Sequence, residues 1–315
     1  MPDADARLDL TLRKGDPRLP AVVFVHGLGM RKTVWTAPDR ARVMGGMFSM
    51  GALLRDYPAP RSLFHDLAEM GFTAAAWSQQ RPAGPAEAAV GELEAVMAEA
   101  LGHTRAGLVL IGHSRGGLVA RAALDRRATG AAGQVRALVT LSSPHRGSTL
   151  ARWAVLVAPL SPVVARIVPE AEEGTLRAAM RKAAAFLESA GVRELLPGSE
   201  FLREMAELAP LPGPYRLSAG GTDPELFVIR GNRGRGAGQR RLSFPGMLTG
   251  VLPRGFLPEE IVRGKGDGLV SEKSSRLPGA HEHLKFPLNH AEMLVDPAVR
   301  DAVRSRLLLA LGVEG

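Results

Sequence analysis

The strongest constraint on this chain is a recurring alternation: short apolar runs, each too short for a helix, followed by stretches with helical spacing. Residues 21–25 (AVVFV), 72–77 (FTAAAW), 107–111 (GLVLI) and 135–141 (VRALVTL) are such runs. Continuous apolar runs of this length read as strands buried on both faces. The stretches at 62–70, 87–101 and 117–124 have helical spacing, and strand–helix alternation is what a parallel sheet with right-handed crossovers requires. A weaker outer strand is expected at 8–12. Residues 226–230 (LFVIR) read as the strand on which the sheet resumes, 284–288 as its last strand and 297–311 as a closing amphipathic helix. The expected class is α/β, a mostly parallel central sheet flanked by helices, and such sheets bind ligands beyond the carboxyl ends of their strands.

The alternation stops between 150 and 212, where helices are expected at 152–158, 162–168, 175–190 and 199–208. This predicts a core of 1–149 and 213–315 with a helical cap or lid insertion at 150–212, whose aliphatic residues and Trp153 suit a cover over the ligand-binding edge. Residues 30–61 are long for a strand-to-helix connection. Their methionine- and glycine-rich part, 43–54 (VMGGMFSMGALL), reads either as an acyl-pocket lining or flap, or as ordinary core.

Chemistry enters at 111–118 (IGHSRGGL), where Ser114 lies in a G-x-S-x-G turn between a strand and a helix. The turn exposes the serine oxygen, while Gly112, Gly116 and Gly117 let strand and helix pack closely. It also places the Arg115 N–H at a helix N-terminus, where developing negative charge is stabilised. Taken alone, the pattern also fits a glycine-rich turn without chemistry. A second glycine loop, HGLG at 26–29, follows the 21–25 strand, and its Leu28 N–H is placed to pair with that of Arg115 as an oxyanion hole.

A serine hydroxyl needs a base, and the base needs an acid partner that fixes its tautomer. Asp267, in GDGLV, and His290, in NHAE, supply these in the order Ser, Asp, His and near the same sheet edge. Asp223 is expected at the opposite edge, ahead of 226–230, and Asp296 as a helix cap. His26 and His113 occupy turn positions suited to structural hydrogen bonds, His65 and His103 read as helical or surface residues, and His145 is a candidate substrate contact. The His281/His283 pair lacks a nearby third ligand for a metal.

Composition narrows the partners. The chain has 315 residues, 45% of them hydrophobic, which is enough for one large domain plus an insertion. With no cysteine, disulfides, thiol chemistry and thiolate metal sites are excluded. Residues 154–165 form the longest apolar run; broken by Pro159 and Pro162, it is too short to span a bilayer but can rest on a lipid surface. The net charge is +8, with a basic segment at 230–241 that contains no aromatic residue for base stacking. A solvated loop is therefore expected, with no nucleic-acid partner. The acidic N-terminus has no apolar signal core, so a cytoplasmic location is expected, export through a removed segment being the alternative.

Together HGLG, GHSRGG, TLSSPHRGST, GDGLVS and NHAEML resemble the α/β-hydrolase superfamily, in particular its bacterial lipase and esterase branch. The resemblance covers the chain apart from 30–61, 150–212 and 231–263. It implies a carboxylic-ester hydrolase that forms an acyl-enzyme on small-molecule or lipid esters with a hydrophobic acyl chain. In it Ser114 is the nucleophile, His290 the general base and acid, Asp267 its orienting partner, and the N–H groups of Leu28 and Arg115 form the oxyanion hole. Amidase, thioesterase, polyester depolymerase and a non-catalytic binding role are the alternatives. No cofactor or metal is implied, since the calcium-binding acids of some bacterial lipases are not matched as a set. Arg115 departs from the uncharged residue commoner at its position, and its side chain is expected to pair with an acid in the cap or in 30–61.

Overall fold

The computed structural model describes residues 8–54, 57–126, 130–152, 181–208, 213–225, 229–230, 241–242 and 257–313. Seven strands among them form one sheet: β1 (Asp9–Arg13), β2 (Ala21–Val25), β3 (Ala74–Ser78), β4 (Leu108–His113), β5 (Val135–Leu141), β6 (Tyr215–Gly221) and β7 (Glu282–Phe286). Their order is β1-β3-β2-β4-β5-β6-β7; β1 is antiparallel to β3 and every other pairing is parallel. Helices among the described residues include α1 (Leu63–Glu69), α2 (Ala86–Leu101), α3 (Arg115–Arg126), α4 (Ala190–Glu194), α5 (Glu200–Glu207) and α6 (Pro297–Leu311).

The apolar runs are strands because both sheet faces are covered. Val22 and Phe24 of β2 face a cluster with Leu63, Leu67, Val303 and Leu307 of α1 and α6, while Ala21, Val23 and Val25 face Val90, Leu93 and Val119 of α2 and α3. Alternate side chains thus enter opposite cores, and neither needs to be polar. Burying one such valine, leucine or phenylalanine contributes about 1.5–3 kcal/mol. β2 and β4 are neighbours at the centre, in register from Ala21↔Leu108 to Val25↔Gly112. The loops leaving both therefore emerge side by side at one edge.

One strand differs from expectation. Of the strand expected at 226–230, the described part, Ile229–Arg230, pairs with Arg241–Leu242 in a separate two-stranded ribbon rather than with the central sheet, and 226–228 lie outside the described residues. The place next to β5 belongs to β6, with sequence YRLSAGG. β6 buries its polar side chains against partners rather than apolar cores: Arg216 ion-pairs with Asp125 of α3, and Ser218 Oγ lies 2.8 Å from His283 Nδ1 on β7. Asp223 consequently follows a sheet strand at its carboxyl end instead of preceding one at the opposite edge.

The helices expected at 152–158 and 162–168 lie outside the described residues, apart from Arg152, and of 175–190 the part from 181 onward is described. In 30–61, Met50 and Val43 are buried with Trp35 and Phe64, so these positions belong to the core rather than to an acyl pocket. Phe48, on a short hairpin there, is 39% exposed.

Candidate active site

Ser114 joins β4 to α3 with a φ of 55°, a left-handed conformation unusual for a residue with a β-carbon. The surrounding glycines permit this turn by close approach. A β-carbon on Gly112 would strike the Gly117 backbone at 2.5 Å, and one on Gly116 would overlap the carbonyls of Val25 and His26. The HGLG loop lies directly against the serine: a β-carbon on Gly27 would sit 2.9 Å from Ser114 Cβ. Arg115 opens α3, so its N–H has no intrahelical acceptor. Among the described residues neither that N–H nor the Leu28 N–H meets an acceptor.

Asp267 and His290 come together although 23 residues separate them. His290 Nδ1 donates to Asp267 Oδ2 at 2.9 Å, and the His290 N–H donates to the Asp267 carbonyl at 3.0 Å. Both side chains are buried, at 2% and 1% exposure. The Leu269 and Val270 N–H groups donate to Asp267 Oδ1 at 3.0 and 2.8 Å. Burial alone would raise the Asp267 pKa; the facing His290 and these donors outweigh it and hold the carboxyl below its ordinary value. With Nδ1–H committed to the carboxylate, His290 keeps its Nε2 lone pair, and among the described residues that buried atom has no partner. His290 stands over β4: its ring is 4.6 Å from that of His113, and its carbonyl accepts from His113 Nε2 at 2.9 Å. The base-and-acid pair thus adjoins the residue next to Ser114.

Asn289 was not singled out in the sequence, yet it fixes this loop. Its Oδ1 accepts the N–H groups of Ala291 and Glu292 at 2.9 and 3.0 Å, and its Nδ2 donates to the carbonyls of Leu53 and Glu225, each at 3.0 Å. Nothing local marks this role, because Leu53 is 236 residues away.

The other candidates are occupied structurally. His26 Nδ1 donates to Gly27 O and its Nε2 accepts the Gln79 N–H, each at 3.0 Å; burial lowers its pKa to about 4. His113 falls to about 3, mainly through burial. His145, expected near substrate, is 5% exposed, and its Nε2 lies 3.1 Å from Thr140 Oγ1. His281 Nδ1 accepts the Arg216 N–H at 3.0 Å, while His283 sits between Ser218 and Glu272. Asp296 caps α6. Among the described residues no three His, Asp or Glu side chains are grouped to hold a metal, and no helix is long and apolar enough to cross a membrane.

The Arg115 guanidinium is 1% exposed and meets Glu194 of α4, an acid within the 150–212 segment, with Nη2 to Oε2 at 3.3 Å. Other parts of that segment also lie against the HGLG loop. Phe186 covers Gly29, and Leu28 packs with Val192 and Leu195.

A family model described as palmitoyl protein thioesterase matches residues 21–206. Among solved structures, the chain is similar to the mature form of the Bacillus licheniformis lipase BlEst2, at TM-score 0.56 and 21% identity over 95% of this chain and 97% of that one. It is similar also to Staphylococcus hyicus lipase, at TM-score 0.51 and 14% identity over 95% and 97% of the two chains. A lipase-esterase related protein from Clostridium acetobutylicum gives TM-score 0.51 and 10% identity over 95% and 99%. These likenesses establish the mostly parallel, helix-flanked sheet as a shared fold. No curated protein sequence matches the chain.

Proposed function

From a chain that belongs to the palmitoyl protein thioesterase family, within the α/β-hydrolases, we propose a serine hydrolase that cleaves carboxylic esters with a hydrophobic acyl chain through an acyl-enzyme. The observation that carries this reading is the buried His290–Asp267 pair, with an unpartnered Nε2, beside the strained turn that presents Ser114. In the proposed reaction Ser114 Oγ attacks the acyl carbonyl carbon while its proton passes to His290 Nε2. Asp267 holds the imidazole tautomer and stabilises the imidazolium. The carbonyl oxygen becomes an oxyanion that accepts hydrogen bonds from the N–H groups of Leu28 and Arg115. The C–O bond to the leaving alcohol then breaks, the alcohol departing with the proton held by His290. A water deprotonated by His290 attacks the acyl-serine, and Ser114 regains its proton as the acid leaves.

The 150–212 segment is proposed as a cap over this site; support comes from the contacts of Phe186, Gly191 and Glu194 with the oxyanion loop and elbow. A second reading, thioester hydrolysis, is favoured by the description of the matching family model. It uses the same residues and differs in the leaving sulfur.

The purified protein is expected to hydrolyse p-nitrophenyl acyl esters and to be labelled by a fluorophosphonate, with Ser114→Ala losing both while its circular dichroism is unchanged. Wild-type turnover or labelling in Ser114→Ala would reject the nucleophile. A matched series of acyl esters and acyl thioesters, compared by kcat/KM, decides between the two leaving groups.

A further inference from the structure

Both proposed oxyanion donors belong to residues whose side chains the chemistry leaves unused, and those side chains meet on one short helix. Arg115 donates through Nη2 to Glu194 Oε2 at 3.3 Å and to Gly84 O at 2.5 Å, and through Nη1 to Gln79 Oε1 at 3.4 Å. Gln79 in turn grips the first residue of the HGLG loop. Its backbone N–H donates to His26 Nε2 at 3.0 Å, and its side-chain Nε2 donates to His26 O at 3.4 Å. A chain of hydrogen bonds therefore runs from Glu194 through Arg115 and Gln79 to His26.

Gly191 lies three residues before Glu194, on the same face of α4. A β-carbon there would fall 2.5 Å from Leu28 Cδ1 and 3.0 Å from Ala83 O, and the Gly191 N–H donates to that carbonyl at 3.0 Å. One helix face thus touches the side chains of Leu28 and Arg115 together. The Glu194 carboxylate is itself held, because its two oxygens accept the Ala86 N–H at the start of α2 at 2.9 and 3.0 Å.

We propose that α4 is the positioning element of the oxyanion hole, with Glu194 and Gly191 as positioning residues that set the Leu28 and Arg115 N–H groups against each other. The inference rests on the ester-hydrolase reading and on the assignment of those two donors. Its physical basis is the steep distance dependence of transition-state hydrogen bonds, for which a shift of about 1 Å costs up to about a hundredfold in rate. Ser114 and Arg115 are held by the elbow. The HGLG loop is anchored on its far side, where the Gly29 N–H donates to Pro82 O and the Gly29 carbonyl accepts the Gly45 N–H, each at 2.8 Å; α4 adds the brace that spans from Leu28 to Arg115.

Two variants probe the two contacts of the helix independently. Glu194→Gln removes the charge facing Arg115 while keeping an acceptor, and Gly191→Ala leaves the Arg115–Glu194 pair chemically intact but presses a methyl group against Leu28 Cδ1 and the Ala83 carbonyl. Each is expected to lower kcat on p-nitrophenyl butyrate by about tenfold or more with KM changed less than about twofold. Each also weakens a trifluoromethyl ketone transition-state analogue by a factor similar to the loss in kcat, at a temperature where circular dichroism shows the folded state. Variants that melt lower yet keep wild-type kcat and analogue affinity would make α4 a stability anchor alone and overturn the inference. If the wild-type protein neither hydrolyses esters nor takes the fluorophosphonate, the ester-hydrolase reading falls, and this one with it. An active wild type with unaffected variants sinks the inference alone.

Discussion

Ser114 occupies a φ of 55°, a conformation that costs a residue with a β-carbon about 1 kcal/mol or more and glycine almost nothing. Of two variants that both lack the hydroxyl, Ser114→Gly is therefore expected to be about 1 kcal/mol more stable than Ser114→Ala in urea unfolding. The reverse order would mean that the turn holds no strain for glycine to release. The contribution of Asp267 is separable from that of the serine. Asp267→Asn leaves a neutral amide against His290 Nδ1 and allows the ring to adopt the other tautomer. A kcat loss of about 10³–10⁴-fold is expected, and a loss below tenfold would remove Asp267 from the proposed constellation. Position 115 was legible as a departure in the sequence, and the acid expected opposite its guanidinium is Glu194. Which acid that would be was not legible, because the two residues are 79 apart and meet through the tertiary fold.

At the scale of the elements, legibility followed the chemistry of burial. β2, β4 and β5 could be read because both of their faces enter apolar cores, so their sequences are predominantly apolar. β6 could not. Its residues satisfy burial by pairing: Arg216 with Asp125, Ser218 with His283, and Gly220 making room for Ser275. The more apolar LFVIR drew the assignment away, and with it the expected position of Asp223. The loops carrying Ser114, Leu28, Asp267 and His290 were readable because each is short and bounded by glycine or by a strand end. The same burial logic makes α3 and β6 interdependent. Asp125, with no side-chain exposure, faces both Arg121 and Arg216. Replacing it with alanine leaves two buried guanidinium groups without their shared carboxylate, and a loss of about 3–5 kcal/mol is expected. Equilibrium denaturation measures it, and a change under 1 kcal/mol would mean that water or other acceptors take over.

For the whole molecule, buried histidines set the response to acid. Burial keeps His26 and His113 neutral in the folded state down to about 4 and about 3, whereas the unfolded rings take up a proton near 6.5. Between those values the unfolded chain binds more protons, so stability falls as pH drops from 6.5 toward 4, and for His113 toward 3. The loss is on the order of a few kcal/mol for each ring. Asp267 acts lower still: its carboxyl is held below the ordinary 3.8, so its contribution is present above that value and disappears as pH falls through the folded pKa. The urea midpoint is expected to decline steadily from pH 7 to pH 4, and a flat profile would contradict the neutral burial of the two rings. One further consequence follows from the register of β2 against β4, in which Val25 stands beside Gly112. The loops bearing Leu28 and Arg115 leave the sheet within three residues of that pair. Their relative height is consequently quantised: a slip of one position would shift it by about 3.3 Å and turn every side chain of the strand to the other face. Gradual drift is closed to such an arrangement, so substitutions in the loops can tilt the two donors only within one step of the backbone ladder beneath them.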